Sequence, residues 1–192
     1  MRSVSIATRW AACGLGAWLM LTGCAGGARS LPPLPNDQNG AIYQLGAGDA
    51  LKITVFGEPD LSGTFKISDN GAIVVPLIGQ VAAQGLSVPE LQKRLVLLLN
   101  QKAVKSPDVT LQIEEYRPFF ILGEVKNPGS YPYVPDMTVL TAVAIAGGFT
   151  FRASEDEVSV TRKRNGVATE SRGARNSRVL PGDTVFVFER HF

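Results

Sequence analysis

Cysteine and histidine are nearly missing from this sequence. Its 192 residues hold two cysteines, Cys13 and Cys24, and one histidine, His191. Past residue 24 no thiol is left for a disulfide, a redox pair or a cysteine metal site, so the folded part must be held by its core alone. One histidine next to the final Phe192 leaves a catalytic triad or a multi-histidine metal site without its usual parts. Glu114 and Glu115 are a carboxylate pair in sequence only, because neighbours on a strand point to opposite faces. No nucleophile stands beside a base. The expectation is a chain without catalytic residues, cofactor or metal.

Net charge and long apolar runs are scarce as well. Lys+Arg number 19 and Asp+Glu 17, but Arg2 and Arg9 precede Cys24, so from Cys24 onward the two signs balance at 17 each. A balanced chain lacks the basic field of a nucleic-acid binder, and no nucleic-acid partner is expected. The apolar stretch Ala11 to Leu21 spans 11 residues, well short of the roughly 20 of a membrane-spanning helix. Behind Met1-Arg2 and Arg9 it has the form of an export signal, residues 1–23. It closes on Leu21-Thr22-Gly23-Cys24, which resembles the lipobox of bacterial lipoproteins. The resemblance implies a diacylglycerol on Cys24, which becomes the first mature residue. Two acyl chains suffice for stable anchoring, and Ala25 in place of aspartate implies the outer membrane.

Residues 24–42 are rich in Gly, Pro and Asn and carry no apolar period, so they are expected to be a tether separate from the folded domain. Pro32, Pro33 and Pro35 stiffen it, and it could reach at most about 60 Å from the lipid.

A first folded block is expected over 43–115. Leu51, Ile53 and Val55 alternate with Lys52 and Thr54, the period of a half-buried strand, and Gly48-Asp49 reads as the turn before it. Thr64 to Ile67 and Ala72 to Leu77 flank Asp69-Asn70-Gly71, where Asn-Gly suits a hairpin. Ser87-Val88-Pro89-Glu90 has the spacing of a capping box. The helix after it places Val88, Leu91, Leu95, Leu98 and Leu99 on one face. Beyond Pro107, Val109, Leu111 and Ile113 alternate as another strand.

A second block is expected over 116–192. Pro118 to Val125 is strand-like, and Asn127-Pro128-Gly129 turns into Ser130-Tyr131. Thr138 can cap a short helix through Val139, Leu140, Val143 and Ile145, which Gly147-Gly148 ends. That helix is apolar nearly all round and should be buried. Val158 to Arg162 and the run from Val167 flank Asn165-Gly166, a second hairpin signal, and Val185 to Phe188 is a last strand. Both blocks read as α+β, a small sheet with one helix across it. Leu180-Pro181-Gly182-Asp183 before Thr184 to Phe188 echoes Gly46 to Phe56, so each Gly-Asp pair is read as a turn that launches a strand.

Tyr43 to Glu58, with Asp69-Asn70-Gly71, Pro76-Leu77-Ile78-Gly79 and Gly85-Leu86-Ser87, resembles the polysaccharide export domain of the Wza-like outer-membrane exporters. Ile121 to Tyr131 and Ala144-Ile145-Ala146-Gly147-Gly148-Phe149 resemble the soluble-ligand-binding β-grasp (SLBB) domain that follows it in that family. The motif positions are Gly48, Asp49, Gly71, Gly79, Gly123, Pro128, Gly129, Gly147 and Gly148, read as structural and not as ligand contacts. The resemblance implies a lipid-anchored subunit that faces the periplasm and forms a homo-oligomeric ring. The ring would guide capsular or exopolysaccharide through the outer membrane, with an inner-membrane copolymerase as docking partner. Wza-like exporters continue into another β-grasp module and a C-terminal amphipathic helix that forms the pore. This sequence ends at His191-Phe192, so a separate outer-membrane β-barrel is expected to complete the conduit. The alternative is a periplasmic glycan-binding or regulatory lipoprotein without a conduit. Glu155-Asp156-Glu157 and Arg162-Lys163-Arg164 are expected to be solvated charge, and the arginines from Arg172 to Arg178 to lie in a mobile hairpin loop.

Overall fold

The computed structural model describes residues 30–35, 42–102, 104–164 and 166–190. The signal-like segment with Cys24, Asn165 and His191 lie outside them. The chain forms an α+β fold of two modules, each with its own apolar core.

In the first module β1 (Ala50–Val55) is the middle strand of an antiparallel sheet, between β2 (Gly63–Lys66) and β5 (Val109–Glu115). Leu51, Ile53 and Val55 are buried while Lys52 and Thr54 are exposed, so the two-residue period of the sequence becomes the two faces of the strand. Helix α1 (Val88–Lys102) packs against this sheet through Leu91, Leu95 and Leu99, which recur every fourth residue and share one face. Its capping box is formed. The Ser87 N–H donates to Glu90 Oε2 at 2.8 Å, and the Glu90 N–H donates back to Ser87 Oγ at 3.4 Å.

The expected hairpin across Asn70-Gly71 is not made. The chain does turn there, with the Gly71 N–H on the Ser68 carbonyl, but β2 pairs with β1. The following strand, β3 (Ala72–Val75), pairs instead with β4 (Gly79–Ala82) around Pro76–Ile78. Side-chain burial decides this pairing. Phe65 lies opposite Leu51, and Val81 opposite Ile73, so each apolar face meets another. The reversal is carried by Leu77 at φ +64°, a residue with no turn signature.

The second module is a five-stranded sheet in the order β7 (Gly129–Tyr131), β6 (Phe119–Gly123), β10 (Thr184–Glu189), β8 (Ala153–Arg164), β9 (Val167–Gly173). Strand β10 runs parallel to β6 and antiparallel to β8, so the last strand in sequence is the central one. Helix α2 (Val139–Ile145) is capped by Thr138, which accepts from the Thr141 N–H. Val139, Ala142 and Val143 are buried against the sheet, whereas Leu140 is 50% exposed and Ile145 38%. The expectation of burial all round fails, because a seven-residue helix laid on one sheet covers only the side it presents.

The tether is also less separate than its composition implies. Pro33 makes a parallel bridge to Arg172. The Leu34 N–H donates to the Arg172 carbonyl and the Arg172 N–H to the Pro32 carbonyl, each at 2.8 Å. Strand β9 is a sheet edge with open backbone groups, and residues 32–34 take them up while Leu34 packs against the second core.

Candidate functional site

The two Gly-Asp turns place the same device at the head of each central strand. Gly48 (φ +96°) and Gly182 (φ +82°) hold the left-handed conformation that lets the chain double back before the aspartate. Both aspartates are buried, Asp49 at 0% exposure and Asp183 at 1%. Each uses Oδ2 to accept the backbone N–H three residues earlier, from Gly46 and from Leu180, both at 2.8 Å. A buried carboxylate needs a cation, and each turn has an arginine.

Asp183 is held by Arg162, with Nη2 2.8 Å from Oδ2 and Nε 3.0 and 3.2 Å from the two oxygens. Burial pushes the Asp183 carboxyl up, and the Arg162 hydrogen bonds oppose that shift. Arg162 was expected among solvated charges. Instead it is an inward position on β8, 8% exposed, and its Nη2 also donates to the Arg178 carbonyl at 3.0 Å. Asp49 is held from the other module. Arg117 donates its backbone N–H to Oδ1 at 2.9 Å and its Nη1 to Oδ2 at 3.1 Å.

The Arg117 side chain passes between the two turns. A Cβ on Gly46 or Gly182 would overlap its guanidinium, and one on Gly48 would sit 3.3 Å from its Cβ. Glycine on both sides therefore opens the slot that Arg117 fills. Above it, Tyr43 donates its hydroxyl to Asp49 Oδ2 at 2.7 Å and accepts from Arg117 Nη1 at 2.9 Å. Burial and the neighbouring Asp49 carboxylate push the Tyr43 phenol far above its usual range. Tyr43, Tyr116 and Tyr133 follow one another edge to face, with ring centres 5.3 and 5.4 Å apart. Burial raises the Tyr133 phenol as well.

These residues border a cleft of about 670 Å³ between the modules. Tyr43, Gln44, Asp69 and Gln84 of the first module and Tyr133, Asp136, Lys163 and Arg178 of the second contribute to its walls. A volume of this size suits a ligand of several rings.

Of the motif positions, Gly48 and Asp49 belong to this assembly. The others do not converge. Gly71 and Gly79 border β3 and β4, where the Gly71 carbonyl accepts from Ala83 and Gln84 at 2.9 Å. Gly123 ends β6 against Val187. Pro128 lies in the exposed turn into β7, which Gly129 begins. Gly147 and Gly148 end α2, and the Gly148 carbonyl accepts from Lys126 at 3.0 Å. Sequence reasoning missed Arg117, Arg162, Lys163 and the three tyrosines. The repeated Gly-Asp was the available signal, since two buried carboxylates call for two cations. The stretch Arg172 to Arg178 is tied down and not loose. Arg172 is bridged to the tether, Arg175 pairs with Glu155 and Asp156 at 2.9 and 3.2 Å, and Arg178 pairs with Asp136.

Two α+β modules are thus joined by Arg117 beside a tyrosine-lined cleft. Residues 37–114 match the polysaccharide biosynthesis/export protein family, and residues 118–172 match the SLBB domain. The chain belongs to the Wza-like polysaccharide export family. It is 30% identical over 119 residues to the exopolysaccharide production protein ExoF of Rhizobium meliloti, covering 55% of this chain and 28% of that protein. It is 29% identical over 148 residues to the EPS I polysaccharide export outer membrane protein EpsA of Ralstonia solanacearum, covering 62% and 39%. To the polysialic acid transport protein KpsD of Escherichia coli it is 25% identical over 108 residues, covering 55% and 19%. The matches thus span well under half of each relative. Among the described residues no helix is long and apolar enough to cross a membrane, which says nothing of β-barrels.

Proposed function

We propose that this chain is a non-enzymatic, lipid-anchored subunit of an exopolysaccharide or capsule export assembly. In this reading Cys24 carries the lipid, the two modules face the periplasm, and copies close into a ring that guides polymer through the outer membrane. The observation that carries it is the export domain followed directly by an SLBB domain, the order matched over 37–172. The likeness to ExoF, EpsA and KpsD, proteins named for exopolysaccharide production, polysaccharide export and polysialic acid transport, supports it. The open edges of β2 and β7 supply backbone groups for contact between copies, and a head-to-tail contact that closes makes a ring. The family resemblance motivates an inner-membrane copolymerase as a partner.

Deleting the gene is expected to abolish surface or secreted polymer, with restoration by wild type and not by Cys24→Ser. Native mass measurement on the detergent-solubilised chain is expected to show a closed oligomer. Normal polymer secretion by the deletion strain would overturn the export reading, and a strict monomer at high concentration would overturn the ring.

A further inference from the structure

We propose that the cleft between the modules is a subsite for an acidic glycan, with Tyr133 and Tyr116 as the stacking surface and Lys163 as the carboxylate contact. This inference rests on the export reading and names the polymer class that such a subunit would handle.

The charge of the cleft is specific. Four arginines border it, Arg117, Arg162, Arg164 and Arg178, and three of them are matched by an aspartate: Arg117 by Asp49, Arg162 by Asp183 and Arg178 by Asp136. Lys163 differs. It is exposed at the end of β8 on the cleft wall and makes no ion pair with another described residue. With Asp69 on the facing wall, the cleft sets five cations against four carboxylates, counting the Asp49 that Arg117 holds, so in a chain that is charge-balanced from residue 24 onward it carries a local excess of one positive charge and not a general field. An ammonium there can be matched by an anion from outside, and a flexible stem suits a carboxylate that must later let go.

The remaining chemistry is that of sugar rings. Tyr116 and Tyr133 are partly exposed and present amphipathic faces, while Gln44 and Gln84, both exposed on the opposite wall, offer amide donors and acceptors to hydroxyl groups. The tyrosine row is rigid because Tyr43, its first ring, is fixed by Asp49 and Arg117. Stacking plus one screened ion contact gives a weak, salt-sensitive site. Weak binding is what passage requires, since residence lengthens with affinity.

The test is calorimetric titration of the full detergent-solubilised chain with a galacturonate hexamer and, separately, with maltohexaose. The acidic hexamer is expected to bind at least about tenfold more tightly than the neutral one, an advantage that high salt removes. Lys163→Gln is expected to weaken the acidic hexamer about tenfold and leave maltohexaose unchanged, as befits loss of one charge-assisted contact. Lys163→Arg retains the acidic preference, and Tyr133→Ala weakens both ligands. Equal binding of the two hexamers, no heat from either, or no effect of Lys163→Gln would overturn the proposal. Complementation of the deletion strain separates the two levels. Full polymer secretion by a Tyr133→Ala, Lys163→Gln double variant sinks the cleft inference alone, while secretion without any copy of the chain sinks the export reading itself.

Discussion

Arg117 reaches Asp49 twice, through its backbone N–H at 2.9 Å and its guanidinium at 3.1 Å, across the junction of the two modules. The side chain of Asp49 is fully buried and that of Arg117 is 23% exposed, so the pair is shielded from water on the carboxylate side. Two contacts of different kinds to one residue fix both the path of the linker and the direction of the side chain. The two modules are thereby held at a set orientation.

Asp49→Ala is expected to cost about 3–5 kcal/mol, because it strands the part-buried Arg117 guanidinium together with the Gly46 N–H and the Tyr43 hydroxyl. Denaturant unfolding measures the loss. A change below about 1 kcal/mol would show that the junction does not depend on this carboxylate.

Asp183→Ala removes the corresponding group from the second turn and with it the hydrogen bonds that the buried Arg162 makes to its carboxylate. Its expected cost is also about 3–5 kcal/mol. The double variant Arg162→Met, Asp183→Leu should recover much of it, since a buried ion pair is often replaceable by apolar groups of similar size. Thermal unfolding of the three proteins distinguishes an electrostatic requirement from a requirement for packing.

Gly123 and Gly79 share a positive φ, +84° and +82°, but not their surroundings. A Cβ on Gly79 meets nothing within 4 Å, whereas one on Gly123 overlaps the Val187 carbonyl oxygen and sits 3.0 and 3.1 Å from Val187 C and N. Gly79→Ala is expected to cost about 1–2 kcal/mol from backbone strain alone. Gly123→Ala should exceed that by a further 1–3 kcal/mol or so, because it pushes β6 off β10. Equal losses in chemical denaturation would rule out the steric part.

The capping box makes stability respond to pH. Ser87 donates its N–H and hydroxyl to Glu90, which lowers the Glu90 carboxyl below its usual 4.5. A lowered folded value favours the charged form, so this contribution is present above the unfolded pKa and is lost as pH falls through the folded one. The gap in denaturation midpoint between wild type and Glu90→Gln should therefore be widest near neutrality and close in acid. Ser87→Ala should cost about 1 kcal/mol at neutral pH. A gap that stays constant down to pH 3 would exclude the Glu90 linkage.

Amide exchange tests the docked tether. The Leu34 and Arg172 amides are expected to be protected, and Leu34→Asp should expose both while leaving β8 and β10 protected. Fast exchange at Leu34 in the wild type would mean that the segment does not hold β9.

Local chemistry alone settled most of the strands, the caps and the launching turns of this protein, though not β4. The alternation of Leu51, Ile53 and Val55, the Ser87 to Glu90 spacing and the doubled Gly-Asp each act within a few residues, so the sequence displays them directly. Family likeness made the export and SLBB order legible in the same way, because its motifs are contiguous. Tertiary structure decided the rest. Whether β2 pairs with β1 or β3 depends on which apolar faces meet, and the exposure of Leu140 depends on how much of a short helix one sheet can cover. The fate of Arg162, Arg117 and the tyrosine row was set in the same way. A charged or aromatic side chain carries no local mark of the partner that waits for it 21 or 68 residues away. Such pairs exist only once both central strands are in place, and that is why the cleft, unlike the strands around it, had to be seen in three dimensions.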